Sequence, residues 1–154
     1  MVNKKFLFKN IWHFIALGFG AGIVKKGAGT IGTLIAFIYF IPIYCLNPEK
    51  KLLIFISLFF VSWFATHQTL KSSGMKDPGF IVIDEIIAYL LILITIPFTI
   101  QNIIYSFIIF RFLDIFKPWP ITKFENIKGA LGVLADDLVA AFITIAIMLG
   151  SNWL

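Results

Sequence analysis

Five stretches of this chain are almost free of charge, and each is closed by proline, glycine, asparagine or charged residues. Residues 31–46 run to Asn47-Pro48. Residues 52–70 are interrupted only by Ser, Thr, Gln and His67. Residues 80–100 form the longest run, with Pro97 near its end. Residues 103–116 are shorter and carry Arg111 and Asp114 in their last turns, and residues 131–149 come last. A membrane-spanning helix needs about 20 apolar residues, within a range of roughly 17 to 25. The pattern therefore predicts about four or five transmembrane helices, some of marginal length. Residues 11–24 are apolar but too short and glycine-rich to span, and are expected as an N-terminal interfacial or re-entrant helix. The expected fold is an all-α integral membrane helical bundle, one domain over residues 1–154, with no internal repeat and no linker.

Composition agrees with a membrane chain. Hydrophobic residues make up 60% of it and mean hydropathy is +0.96, whereas soluble domains are about half apolar. The net charge of +5 does not call for nucleic acid, because basic residues set the topology of membrane proteins and attract anionic head groups. No nucleic-acid partner and no obligate protein partner are expected. With the N-terminus in the cytoplasm, Lys4, Lys5, Lys9, Lys25, Lys26, Lys71, Lys76, Arg111, Lys117, Lys123 and Lys128 all fall on the cytoplasmic side. Only Lys50 and Lys51 fall outside. No cleavable signal peptide is expected. The lone Cys45 excludes an intrachain disulfide and is expected as a small apolar residue inside a helix.

That topology brings the acidic residues together. Only Glu49 lies apart from three clusters: Asp77 with Asp84 and Glu85, Asp114 with Glu125, and Asp136 with Asp137. Each cluster meets the cytoplasmic end of a predicted helix. Carboxylates beside lipid are costly and mark functional sites. Asp77-Pro78 reads equally well as a helix start, with Asp as N-cap and Pro in the first turn. Asp84 and Glu85 are expected inside that helix, past any capping role. Several carboxylates at one face suit a hard cation such as Mg²⁺. Asp136 and Asp137 follow Gly129 and Gly132 and precede Ala140 and Ala141, small residues that let helices approach closely.

Arg111, Asp114 and Lys117 repeat at three-residue steps. An intrahelical ion pair with a snorkelling lysine is the plain reading. Phosphate binding is the functional one, because Arg presents parallel N–H donors and Lys a point charge. Lys117-Pro118-Trp119-Pro120 should stop the helix and put Trp119 at head-group depth. The stretch from Lys25 to Thr33, KKGAGTIGT, is a flexible turn or an anion-binding helix start; it is not a Walker A loop. His13 and His67 lack partners at metal spacing and are expected to be interfacial or structural.

Four stretches, GTIGTLIA at 29–36, DPGFIVIDEIIAYL at 77–90, FRFLDIFKPWPI at 110–121 and KGALGVLADDLVAA at 128–141, together resemble the phosphatidylglycerophosphatase A family. They occur in the family's order. Ala28, Glu125, Ala130 and Ala141 stand where the family often has Pro, Asp, Gly and Gly. The resemblance implies a Mg²⁺-dependent phosphatase of the bacterial cytoplasmic membrane, its site facing the cytoplasm, that hydrolyses phosphatidylglycerophosphate to phosphatidylglycerol and phosphate. On that basis Mg²⁺ is expected on some of Asp84, Glu85, Asp136 and Asp137. The substrate phosphate is expected against Arg111 and Lys117, aided by Lys26 and the backbone at Gly29–Thr30. Asp84 or Asp137 is the expected general base, and Asp114 is expected to orient Arg111 or join the metal shell.

Three other classes remain open on the residues alone. An ion-coupled transporter would string its acids through the membrane. A lipid-binding subunit would need the lysines but not the carboxylates. A phosphatase for another phospholipid would use the same groups.

Overall fold

The structure is a computed structural model that describes residues 4–24, 26–75, 78–124 and 126–151. Among these residues every regular element is helical. Two short helices, α1 (Lys4–Leu7) and α2 (Ile11–Ala16), lead into a 3-10 stretch (Gly18–Ile23). Then come α3 (Ala28–Phe40), a 3-10 turn (Ile41–Ile43), α4 (Pro48–Ser73), α5 (Ile83–Thr95), α6 (Ile100–Phe116), α7 (Ile121–Phe124) and α8 (Ala130–Gly150). Two of them, α4 and α8, are long and apolar enough to cross a membrane.

Helix α5 is the axis of the bundle. Residues 86–93 are all buried, as expected of a helix apolar on every side. Helix α3 runs parallel to it, so that Phe37 meets Tyr89 and Phe40 meets Phe98. Helix α6 packs back along it; Tyr89 donates to the Ile103 carbonyl at 3.1 Å and touches the Phe110 ring. Helix α4 buries its small residues Ser62, Ala65, Thr66 and Thr69, and small residues permit close helix approach.

Two sequence expectations fail here. The run over residues 80–100 is not one long helix. Helix α5 has 13 residues and rises only about 20 Å, against a hydrocarbon core of about 30 Å. Residues 78–82 are irregular, with Ile81 N–H bonded to the Pro78 carbonyl and Val82 N–H to the Ala16 carbonyl, 3.0 Å away. A local turn at Pro78 and a tertiary bond from Val82 to Ala16 thus take the place of helical bonds in this apolar stretch. Likewise α3 stops at Phe40, and Cys45 is an exposed residue in a turn rather than part of a helix.

The N-terminal segment enters the bundle and returns. Ala16 and Gly18 lie against Val82 and Ile86, the Phe19 ring reaches Tyr39, and Gly22 comes back beside Phe80. The reversal uses left-handed backbone at Gly18, Phe19 and Gly20. His13 is buried, stacks on Phe6 and bonds the Phe6 carbonyl through Nδ1 at 2.9 Å, a structural use of that residue. A Cβ on Gly22 would lie 1.9 Å from the Phe80 carbonyl oxygen. Gly22→Ala must therefore push two backbone segments apart. It is expected to cost about 2 kcal/mol, read as a lowered thermal midpoint of the detergent-purified protein; an unchanged midpoint would contradict this packing.

Candidate functional site

Three chain segments distant in sequence meet at one end of the bundle. Helix α5 begins at Ile83 with Val82 as its N-cap. Asp84 and Glu85 therefore stand in its first turn, not beyond it as the sequence suggested, and Pro78 lies outside the helix. Asp84 Oδ1 accepts the Glu85 N–H at 3.1 Å. Carboxylates in a first turn are favoured by the helix dipole, which offsets a small part of the cost of burying them.

Helix α8 supplies Asp136 and Asp137 from its second turn, both buried. They do not lie in a solvated loop. Gly132 makes this possible: a Cβ there would fall 1.7 Å from the Ile127 carbonyl oxygen, so the chain folds tightly against the start of α8.

Helix α6 supplies Arg111 and Asp114, ion-paired to each other in its last turns. The helix then ends at Lys117, whose φ of 42° is left-handed, a conformation uncommon for a side chain larger than glycine. Its N–H caps the Leu113 carbonyl, and the turn aims the ammonium at Asp136, with which it forms a salt bridge. Burial alone would depress the Lys117 pKa. The hydrogen bond and charge of Asp136, reinforced by Asp137 and Asp114, outweigh it and raise the pKa above the ordinary lysine value, so the group is a fixed cation.

These residues enclose a cavity of about 150 Å³ lined by Asp84, Glu85, Asp114, Lys117, Asp136 and Asp137, with Gly79, Ile81 and Val133 beside them. Among the described residues, five carboxylates share the site with two cations. Buried excess negative charge requires counter-ions or protons. Two of the carboxylates, Asp114 and Asp136, are taken up by Arg111 and Lys117. The other three, Asp84, Glu85 and Asp137, present oxygens within 4.8 Å of one another. Glu85 Oε2 is buried without a hydrogen-bond partner, as is Asp136 Oδ1. Clustered carboxylate oxygens with unused lone pairs fit a hard divalent cation.

Helix α3 forms the next wall. Its Gly29 lies so close to the site that a Cβ would sit 2.1 Å from Glu85 Oε1 and 3.2 Å from Arg111 Nη1. Thr33, one turn on, accepts from Arg111 Nη1 at 3.4 Å. Thr33 was not singled out in the sequence, although its four-residue spacing from Gly29 places both on one face. Lys26 is exposed just before α3 and Thr30 is partly buried in its first turn; neither lines the cavity. Lys25, Lys76, Asp77 and Glu125 lie outside the described residues.

A sequence model of the phosphatidylglycerophosphatase A family matches residues 14–152. The phosphatidylglycerophosphatase A of Escherichia coli is 34% identical over 157 residues, covering 99% of this chain and 91% of that relative. The Haemophilus influenzae protein of the same name is 34% identical over 148 residues, covering 94% and 91%. A Bacteroides thetaiotaomicron relative, provisionally named a phosphatidylinositol-3-phosphatase, is 32% identical over 146 residues, covering 90% and 92%. No solved structure matches. By its match over nearly its whole length, this chain belongs to the phosphatidylglycerophosphatase A family.

Proposed function

We propose that this protein is a Mg²⁺-dependent membrane phosphatase that hydrolyses phosphatidylglycerophosphate to phosphatidylglycerol and inorganic phosphate. The observation that carries the chemistry is the meeting of Asp84, Glu85 and Asp137 within 4.8 Å, beside a cavity that also holds Lys117 and abuts Arg111. The lipid's identity comes from the names of the relatives.

Asp84, Glu85 and Asp137 would hold Mg²⁺, which polarises a phosphoryl group and acidifies a bound water. Arg111 and Lys117 would receive phosphoryl oxygens, charge-assisted donors that suit phosphate. Asp114 and Asp136 hold those two cations in place and so act as positioning groups. Asp136 pairs with Lys117 through Oδ2 and keeps a buried, unpartnered Oδ1, so it would also be free to join the metal shell. Asp84 or Asp137 would take the proton of the attacking water. The site sits at the N-terminal end of α5 and near those of α3 and α8, where partial positive charge favours an anionic substrate.

A membrane setting is supported by apolar stripes on the outside of the bundle. Ile100, Ile104, Ile108, Phe112 and Ile115 on α6, and Leu53, Ile56, Phe60 and Phe64 on α4, are exposed at helical spacing. Patches of this extent on a soluble surface would be unusual. The lysine distribution would put the site on the cytoplasmic side of the bacterial inner membrane. The N-terminal segment would be re-entrant, its irregular backbone buried in protein, as membrane depth requires. Acids gathered at one end argue against an ion-conducting path.

Purified protein in detergent is expected to release phosphate from phosphatidylglycerophosphate with Mg²⁺ and to lose that activity in EDTA. Release that persists undiminished in EDTA would remove the metal from the reading. The Bacteroides relative's name supports a second substrate, phosphatidylinositol 3-phosphate, and the same assay separates the two. Preference for the inositol lipid would replace the first substrate and leave the site unchanged.

A further inference from the structure

We propose that Thr33 is a positioning residue that fixes the Arg111 guanidinium for the substrate phosphate, an inference that rests on the function proposed above. Thr33 is fully buried on α3, 78 residues away in sequence from the arginine it meets. Its hydroxyl proton is committed: Oγ1 donates to the Gly29 carbonyl at 2.9 Å. A hydroxyl has one proton and two lone pairs, so toward Arg111 it acts only as an acceptor. Arg111 Nη1 reaches it at 3.4 Å and also donates to Asp114. One nitrogen is thereby held from two helices, α3 and its own α6. Arg111 Nε is buried and has no hydrogen-bond partner. A buried guanidinium N–H without an acceptor is costly, and this one stands on the residue best suited to bind an oxyanion. Thr33 and Asp114 spend the Nη1 donors and fix the plane of the guanidinium, which leaves its other N–H groups for an incoming phosphoryl oxygen.

The contact with Thr33 is long for a hydrogen bond, so little of the fold's stability is expected to rest on it. The Gly29 carbonyl lies inside α3 and has its helical partner. Valine matches threonine in shape while lacking the hydroxyl. Thr33→Val should therefore fold, keep the Arg111–Asp114 pair and let the guanidinium turn.

The test compares phosphate release by the wild type, T33V, T33S and, as background, R111A and the R111A/T33V double variant, all in detergent with Mg²⁺. T33V is expected to lose about tenfold in kcat/KM, with a thermal midpoint close to the wild type's. T33S should restore most of that loss. In the R111A background the further loss from T33V should shrink to less than twofold, because residues acting through one another are not additive. An equal loss in both backgrounds, or an equal loss in T33S and T33V, would make Thr33 merely structural and overturn the inference. So would wild-type kinetics in T33V. Should T33V not fold, T33A and T33S give the same contrast, with loss expected only in T33A.

A second readout does not depend on turnover. Inorganic phosphate should raise the thermal midpoint of the wild type, and T33V should need about tenfold more phosphate for the same rise. Wild-type protein that binds phosphate in this way yet releases none from any phosphorylated lipid would sink the proposed function and leave Thr33's role standing. Equal phosphate titrations for the wild type and T33V would sink the role of Thr33 alone.

Discussion

Asp84→Asn is expected to abolish phosphate release, by on the order of a thousandfold or more, in protein that still folds. The size follows from what the side chain would do. A general base alone contributes about 10²- to 10⁴-fold, and Asp84 is also one of the three carboxylates whose oxygens lie within 4.8 Å. Asparagine keeps the volume and an acceptor oxygen, so the bond from the Glu85 N–H to position 84 can persist. It removes the negative charge that would bind a cation. The stability cost should be small: a carboxylate in a first helical turn contributes about 0.5 kcal/mol, and removing one of five acids in a shared cavity relieves repulsion. Two measurements separate the possibilities. Phosphate release should vanish, and Mg²⁺, which should raise the wild-type thermal midpoint through binding to the folded state, should do so far less for the variant. Normal turnover by folded Asp84→Asn protein would take Asp84 out of the mechanism. Lost turnover with an undiminished Mg²⁺ shift would keep it as the base and move the metal to Glu85 and Asp137.

The convergence of the acids was legible because it needs only topology. Once alternate apolar runs are assigned opposite directions, residues 84–85, 111–117 and 136–137 must share an end of the bundle. Helices α4 and α8 were legible too. Their apolar runs are long, and Pro48 and Gly129 mark where each begins. The start of α5 was not legible. Phe80, Ile81 and Val82 are as apolar as the helix they precede, and what keeps them irregular is a bond from Val82 to Ala16, 66 positions earlier in the chain. Moving the helix start to Ile83 changes the physical account of Asp84 and Glu85. They do not interrupt a buried helix; they occupy the one turn where backbone charge welcomes them.

Pairing within the site was beyond a sequence pattern. The three-residue steps among Arg111, Asp114 and Lys117 suggest a ladder along one helix. Instead Lys117 leaves the ladder through its left-handed backbone and reaches Asp136 on another helix. That single turn divides the carboxylates into two held by cations and three left to share one. Thr33 escaped notice, and Gly29 was expected only for its backbone, for the same reason. Their partners are Arg111 and Glu85, on helices that only the tertiary fold brings near.

Gly29 supports the most discriminating test of that arrangement. Gly29→Ala is expected to cut phosphate release about a hundredfold while leaving stability equal to, or higher than, that of the wild type. The atoms a new Cβ would meet are Glu85 Oε1 at 2.1 Å, the Glu85 carboxyl carbon at 3.1 Å and Arg111 Nη1 at 3.2 Å. All belong to side-chain ends, which can swing aside, unlike the carbonyl that faces Gly22. Gly29 is the second residue of α3, where alanine is favoured over glycine by somewhat less than the roughly 1 kcal/mol of a helix interior. The fold therefore gains while the site loses, because the groups that must move are a metal-binding carboxylate and the phosphate-binding guanidinium. Shortening the displaced side chain should undo part of the damage: Glu85→Asp in the Gly29→Ala background is expected to recover activity that Glu85→Asp alone does not gain. A Gly29→Ala enzyme with wild-type kcat and KM would mean that Glu85 and Arg111 do not act from the positions seen here. A variant that loses stability and activity together would mean that Gly29 serves the fold and not the site.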